Sequence, residues 1–62
     1  MKGVIKHYSS KNGYGFIAVP HGDIFFHYKA LENRNAVKAG MNVTFDLSET
    51  ERGLQASHIV AV

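Results

Sequence analysis

The sequence predicts an all-β fold, a small closed or nearly closed barrel of five antiparallel strands. Three observations carry this. Short runs rich in aromatic and β-branched residues alternate with turn-forming clusters at Ser9–Gly13, Pro20–Gly22, Lys38–Gly40 and Ser48–Gly53. No apolar stripe of helical period appears anywhere in the 62 residues. A chain this small also has to hide its strand edges, and closing the sheet on itself does that. Pattern alone leaves an OB-like and an SH3-like barrel open.

Strand one covers residues 2–8, Lys-Gly-Val-Ile-Lys-His-Tyr. Val4 and Ile5 adjoin, so strict alternation breaks, and a bulge is expected near Gly3. Without a reset of register, Lys6 and Tyr8 share one phase and His7 has the other. Asn12-Gly13 is a strong hairpin signal, because both residues tolerate positive φ. Strand two then runs Tyr14-Gly15-Phe16-Ile17-Ala18-Val19, and strand three carries Asp23-Ile24-Phe25-Phe26-His27-Tyr28.

Side chains alternate faces along a strand. Gly15, Ile17 and Val19 therefore share one face with Ile24 and Phe26, which suits a core. Tyr14 and Phe16 share the other with Phe25 and His27. Residues 29–40 read as a loop with a short 3₁₀ turn that takes Leu31 and Val37 into the core. Residues 41–47 alternate cleanly, with Met41, Val43, Phe45 and Leu47 inward. The last strand starts at Leu54. Ala56, Ile59 and Val62 are its inward candidates, but Ile59 has the opposite phase to the other two, so a bulge near His58 is expected.

The face holding Tyr14, Phe16, Phe25 and His27 needs an explanation, because a contiguous patch of exposed rings usually marks a binding site. Residues 1–30 hold four lysines against Asp23 alone, while residues 31–62 hold three cations against four carboxylates. The cations accompany the rings. Flat rings with nearby ammonium groups suit single-stranded nucleic acid, whose bases stack while its phosphates meet the charges. The competing reading is a protein-interaction barrel that uses the same face.

Other classes are disfavoured. Without cysteine there is neither a disulfide framework nor a thiolate metal site. His7, His21, His27 and His58 form no His-x-x-x-His pair and no recognised nucleophile–base motif. No catalytic residue, metal ligand, cofactor or small-molecule substrate is therefore assigned. His7 and His27 could approach across adjacent strands. The apolar runs are too short for a membrane span, and the start of the chain carries no apolar leader, so one domain over residues 1–62 in the cytoplasm is the expectation. A monomer is expected, with exchange of strands about the 29–40 loop as the route to a dimer.

These residues also resemble a known family, the bacterial cold-shock proteins, over nearly the whole length. Asn12-Gly13-Tyr14-Gly15-Phe16-Ile17 is similar to that family's first RNA-binding motif, and Asp23-Ile24-Phe25-Phe26-His27-Tyr28 to its second. Gly40-Met41-Asn42-Val43-Thr44-Phe45 and Arg52-Gly53-Leu54-Gln55-Ala56 resemble its C-terminal landmarks. The resemblance implies a five-stranded antiparallel OB-fold barrel and a non-enzymatic RNA chaperone or regulator of transcription or translation. It would bind single-stranded RNA or DNA through Lys6, Tyr14, Phe16, Asp23, Phe25, His27, Tyr28 and Arg52.

The departures are specific. His7-Tyr8-Ser9 stands where the family usually has Trp-Phe-Asn, so His7 and Tyr8 take over site positions with a titratable ring in place of Trp. Asn12 replaces the motif lysine, and Lys11 one residue earlier can supply that charge. Arg34-Asn35-Ala36-Val37 holds no counterpart of the family's loop aromatic, and Leu54 replaces a proline. Each stacked base contributes roughly 1–3 kcal/mol, so fewer platforms imply weaker binding or altered base choice. A protonated His7 would attract phosphate as well as stack, so binding should strengthen as pH falls through about 6.5.

Overall fold

A computed structural model describes residues 1–32 and 37–62. Five strands form a closed barrel: β1 (Lys2–Ser9), β2 (Tyr14–Val19), β3 (Gly22–His27), β4 (Asn42–Thr50) and β5 (Gly53–Ala61). Neighbours run β1-β2-β3-β5-β4, and β1 pairs with β4 to complete the ring. All these pairings are antiparallel except β3 with β5, which is parallel. This is the OB-fold arrangement that the family resemblance implied. A 3₁₀ turn, Tyr28–Ala30, follows β3. No helix among the described residues is long and apolar enough to cross a membrane.

The core is Ile5, Ile17, Ile24, Phe26, Leu31, Val43, Phe45, Ala56 and Ile59. These are the inward positions that alternation predicts for β2, β3 and the first half of β4. Leu31 is drawn in beside Ile59 by an isolated parallel bridge, and Val37 packs against the core edge. The tight packing leaves no room at Gly15. A Cβ there would lie 2.3 Å from the His7 carbonyl oxygen and 2.6 Å from the Phe26 ring.

Several details differ from the sequence reading. The β1 bulge falls between Ile5 and His7 rather than at Gly3: Ile5 pairs with Ile17, but His7 pairs with Phe16. Lys6 is therefore the extra residue, and the phase of β1 inverts beyond it. The hairpin after β1 forms as expected, yet Gly13 alone takes the left-handed backbone, with φ 76. Asn12 instead donates its backbone N–H to Ser9 Oγ at 3.2 Å.

The expected β5 bulge is present. His58 has φ 50, and the β4–β5 register shifts alongside it, between Thr44 and Asp46. One bulge brings Ala56 and Ile59 to the same side but cannot also turn Val62 inward, and Val62 is 78% exposed. Leu47 lies opposite buried Ala56, toward the tip of the β4–β5 hairpin, and is 40% exposed rather than buried. The expectation for the loop segment Arg34-Asn35-Ala36 lies outside the described residues.

Candidate nucleic-acid interface

The outward face of β1–β2–β3 is built by cross-strand pairs. Phe16 lies between His7 on β1 and Phe25 on β3, while Tyr14 pairs with His27. Because paired residues point the same way, this register places three rings in mutual contact. Tyr14 and Phe25 stack at 5.9 Å between centroids with planes 23° apart. Phe16 meets Phe25 edge-on at 5.8 Å and Tyr14 at 6.2 Å. All three are half-buried. His7 and His27 are exposed at opposite sides of the cluster.

His27 is oriented by its own turn. The Lys29 backbone N–H donates to His27 Nδ1 at 3.3 Å, which puts the proton of the neutral ring on Nε2. Its ring is tilted 38° against Tyr28, with centroids 4.5 Å apart. Tyr28 in turn lies over Gly13, and its backbone N–H donates to the Gly13 carbonyl at 2.9 Å. Tyr28 therefore ties the β1–β2 loop to the end of β3, at the margin of the ring cluster.

Tyr8 lies on the other side of the sheet. It pairs with Gly15, and its ring stacks on buried Phe26 at 5.7 Å and 23°. The bulge at Lys6 explains this, because it sends His7 outward and Tyr8 toward the core. His7 and His27 do not meet, since β2 stands between their strands. Among the described residues, no group of three His, Asp or Glu side chains could hold a metal ion.

Cations edge the rings. Lys6 Nζ contacts Asp23 Oδ2 at 2.9 Å, and the two side chains are 60% and 39% exposed. An ammonium has three donors, so this contact leaves Lys6 able to bind a phosphate oxygen. Lys11 is exposed in the β1–β2 loop and Lys29 in the 3₁₀ turn. Arg52 sits at the tip of the β4–β5 hairpin, where its backbone N–H donates to Thr50 Oγ1 at 3.2 Å. It is three residues from Gln55, which pairs with Phe25. The sequence reading missed Gln55 as a neighbour of the rings. Its phase relative to Ala56 points outward, but the parallel β3–β5 pairing that brings it to Phe25 leaves no local signature.

The 'Cold-shock' DNA-binding domain family model matches residues 1–62. The chain belongs to the cold-shock domain family. That membership supports nucleic-acid binding as the general role of the chain. A cold shock-like protein of Thermotoga maritima is 40% identical over 65 residues, covering 100% of this chain and 98% of the relative. Cold shock protein CspD of Bacillus subtilis is 38% identical, covering 94% and 92%. Major cold shock protein CspA of Bacillus cereus is 34% identical, covering 94% and 91%. Within this cold-shock domain, His7 occupies a corner of the ring face beside Phe16, so the departure noted at that position falls on the face itself.

Proposed function

We propose that this cold-shock domain binds single-stranded RNA or DNA, acting as an RNA chaperone or a cold-shock-type regulator without catalysis. Unpaired bases stack on Tyr14, Phe16 and Phe25, with the His7 and His27 rings extending the platform on either side. Lys6, Lys11 and Lys29 neutralise the phosphates. The observation that carries this reading is the set of three mutually contacting aromatic rings on one outward sheet face. A face built only for packing would bury those rings, and the core already has its own aromatic members in Phe26 and Phe45.

Stacking is tolerant of sequence because every base has a π-face. A duplex hides those faces, so the domain should favour unpaired strands and shift weak hairpins toward the open state. The test is fluorescence anisotropy of a labelled oligo-thymidine and oligo-uridine against a duplex of equal length, at two salt concentrations. Tighter binding of the single strands, weakened by salt, is expected. Equal binding of the duplex would contradict stacking, and no binding of either at low salt would point to a protein partner for the same face.

A further inference from the structure

The outward face of the sheet does not end at the rings. Side chains two apart on a strand share a face, and paired residues on neighbouring strands point the same way. One such step from Phe16 along β2 is Ala18. It pairs with Val4 on β1 and with Asp23 on β3, and Val4 pairs in turn with Asn42 on β4. The row Asp23, Ala18, Val4, Asn42 therefore lies beside the row Phe25, Phe16, His7, roughly 6.5 Å further along the strands.

At this second row the surface opens into a groove of about 540 Å³, a size typical of ligand clefts. Val4, Ala18, Pro20 and Val62 line it with apolar surface, and Lys2 and Asn42 add polar groups. Val4 and Val62 are exposed. An open apolar hollow continuous with a ring patch calls for an occupant.

The charges along β1 indicate its chemistry. Lys2 stands two residues beyond Val4, on the same face, and is exposed. Lys6 stands on the other side of Val4, at the bulge beside His7. Its ammonium contacts Asp23 at 2.9 Å, so the carboxylate at the border between rings and groove is neutralised. Aliphatic surface between two cations suits a nucleotide, whose sugar and base pack on the apolar groups while the phosphates on either side meet the lysines. An apolar protein segment would fill the hollow but leave both ammonium groups unanswered.

We propose that this groove is a further nucleotide subsite. A single strand lying on the rings continues past the Lys6–Asp23 pair and sets its next nucleotide on Val4, Ala18 and Pro20, with a phosphate against Lys2. The inference rests on the single-strand reading above and lengthens that site along β1 and β2. Apolar contact is non-directional, so the subsite adds affinity and reach without choosing between bases.

The experiment titrates the whole chain with oligo-thymidines of about 4 to about 10 nucleotides, within the range of OB-fold site sizes. It follows affinity and backbone amide NMR shifts together. Strands only long enough to cover the rings should shift the amides of Tyr14, Phe16 and Phe25. Beyond a threshold length the amides of Val4, Ala18 and Asn42 should shift as well, and affinity should rise. Lys2→Ala should lower the salt slope of a long strand by about 0.7, the share of one phosphate contact, and leave that of a short strand unchanged. Val4→Asn should weaken a long strand by about 3-fold or more through lost apolar contact and leave a short one unaffected. Circular dichroism confirms that each variant is folded.

If the ring-face amides shift with every length but those of Val4, Ala18 and Asn42 never do, the subsite is wrong and the ring platform stands. The groove is then a surface for an apolar protein segment. The subsite is equally wrong if both variants weaken short and long strands alike. If no single strand binds at low salt, the platform reading fails and the subsite falls with it.

Discussion

The ring of Tyr8 stacks on Phe26 at 5.7 Å, on the core side of β1, while its neighbour His7 faces outward opposite Phe16. Two adjacent residues of one strand thus serve different ends. Tyr8→Ala should lower stability by about 1–3 kcal/mol, less than the loss of a fully buried aromatic because Tyr8 is only half-buried. Tyr8→Phe should preserve most of that stability. Denaturant unfolding measures the loss, and affinity for a single strand under native conditions should be little changed in either variant.

His58 holds the β5 bulge with φ 50, a conformation that costs most L-residues roughly 1–2 kcal/mol. Its contact with Asp46, 3.3 Å between Nδ1 and Oδ2, joins two side chains that are 73% and 74% exposed, so the contact contributes little. His58→Gly should therefore hold or raise stability, by up to about 1 kcal/mol, whereas the β-branched His58→Val should reduce it. Thermal unfolding of the two variants side by side tests whether the bulge is a real backbone constraint.

Both bulges show what could be read from the sequence. Clean alternation in β2, β3 and early β4 exposed the core and the ring face directly, since the period of two assigns every side chain. A bulge shifts that assignment by one residue and inverts everything after it. In β5 the conflicting phases of Ala56 and Ile59 revealed one. In β1 the adjacent Val4 and Ile5 signal an irregularity, but its place at Lys6 depends on pairing with β2, so the side taken by Tyr8 stays open until the register is known. Gln55 escaped for a related reason: its neighbour Phe25 is 30 residues away across a parallel pairing, which no local pattern encodes.

Lys6 meets Asp23 at the edge of the ring face, in an exposed ion pair that contributes at most about 1 kcal/mol to folding. Lys6→Ala should thus leave stability nearly unchanged. It should weaken strand binding, both by removing a cation and by leaving the Asp23 carboxylate unneutralised on the face. With about three or four phosphate contacts, log K should fall against log salt with a slope near −2 to −3, and the variant should flatten that slope by about 0.7. A salt titration of both proteins reads the two effects together.

The central claim is that the outward rings of Tyr14, Phe16 and Phe25 hold unpaired bases. Its most direct test is the affinity of the Phe16→Ala, Phe25→Ala double variant for oligo-thymidine, measured on protein shown by circular dichroism to be folded. Each lost stack is worth roughly 1–3 kcal/mol, so affinity should fall at least about 30-fold with the salt slope nearly unchanged, because the cations remain. A folded double variant that binds as tightly as the wild type would contradict the account.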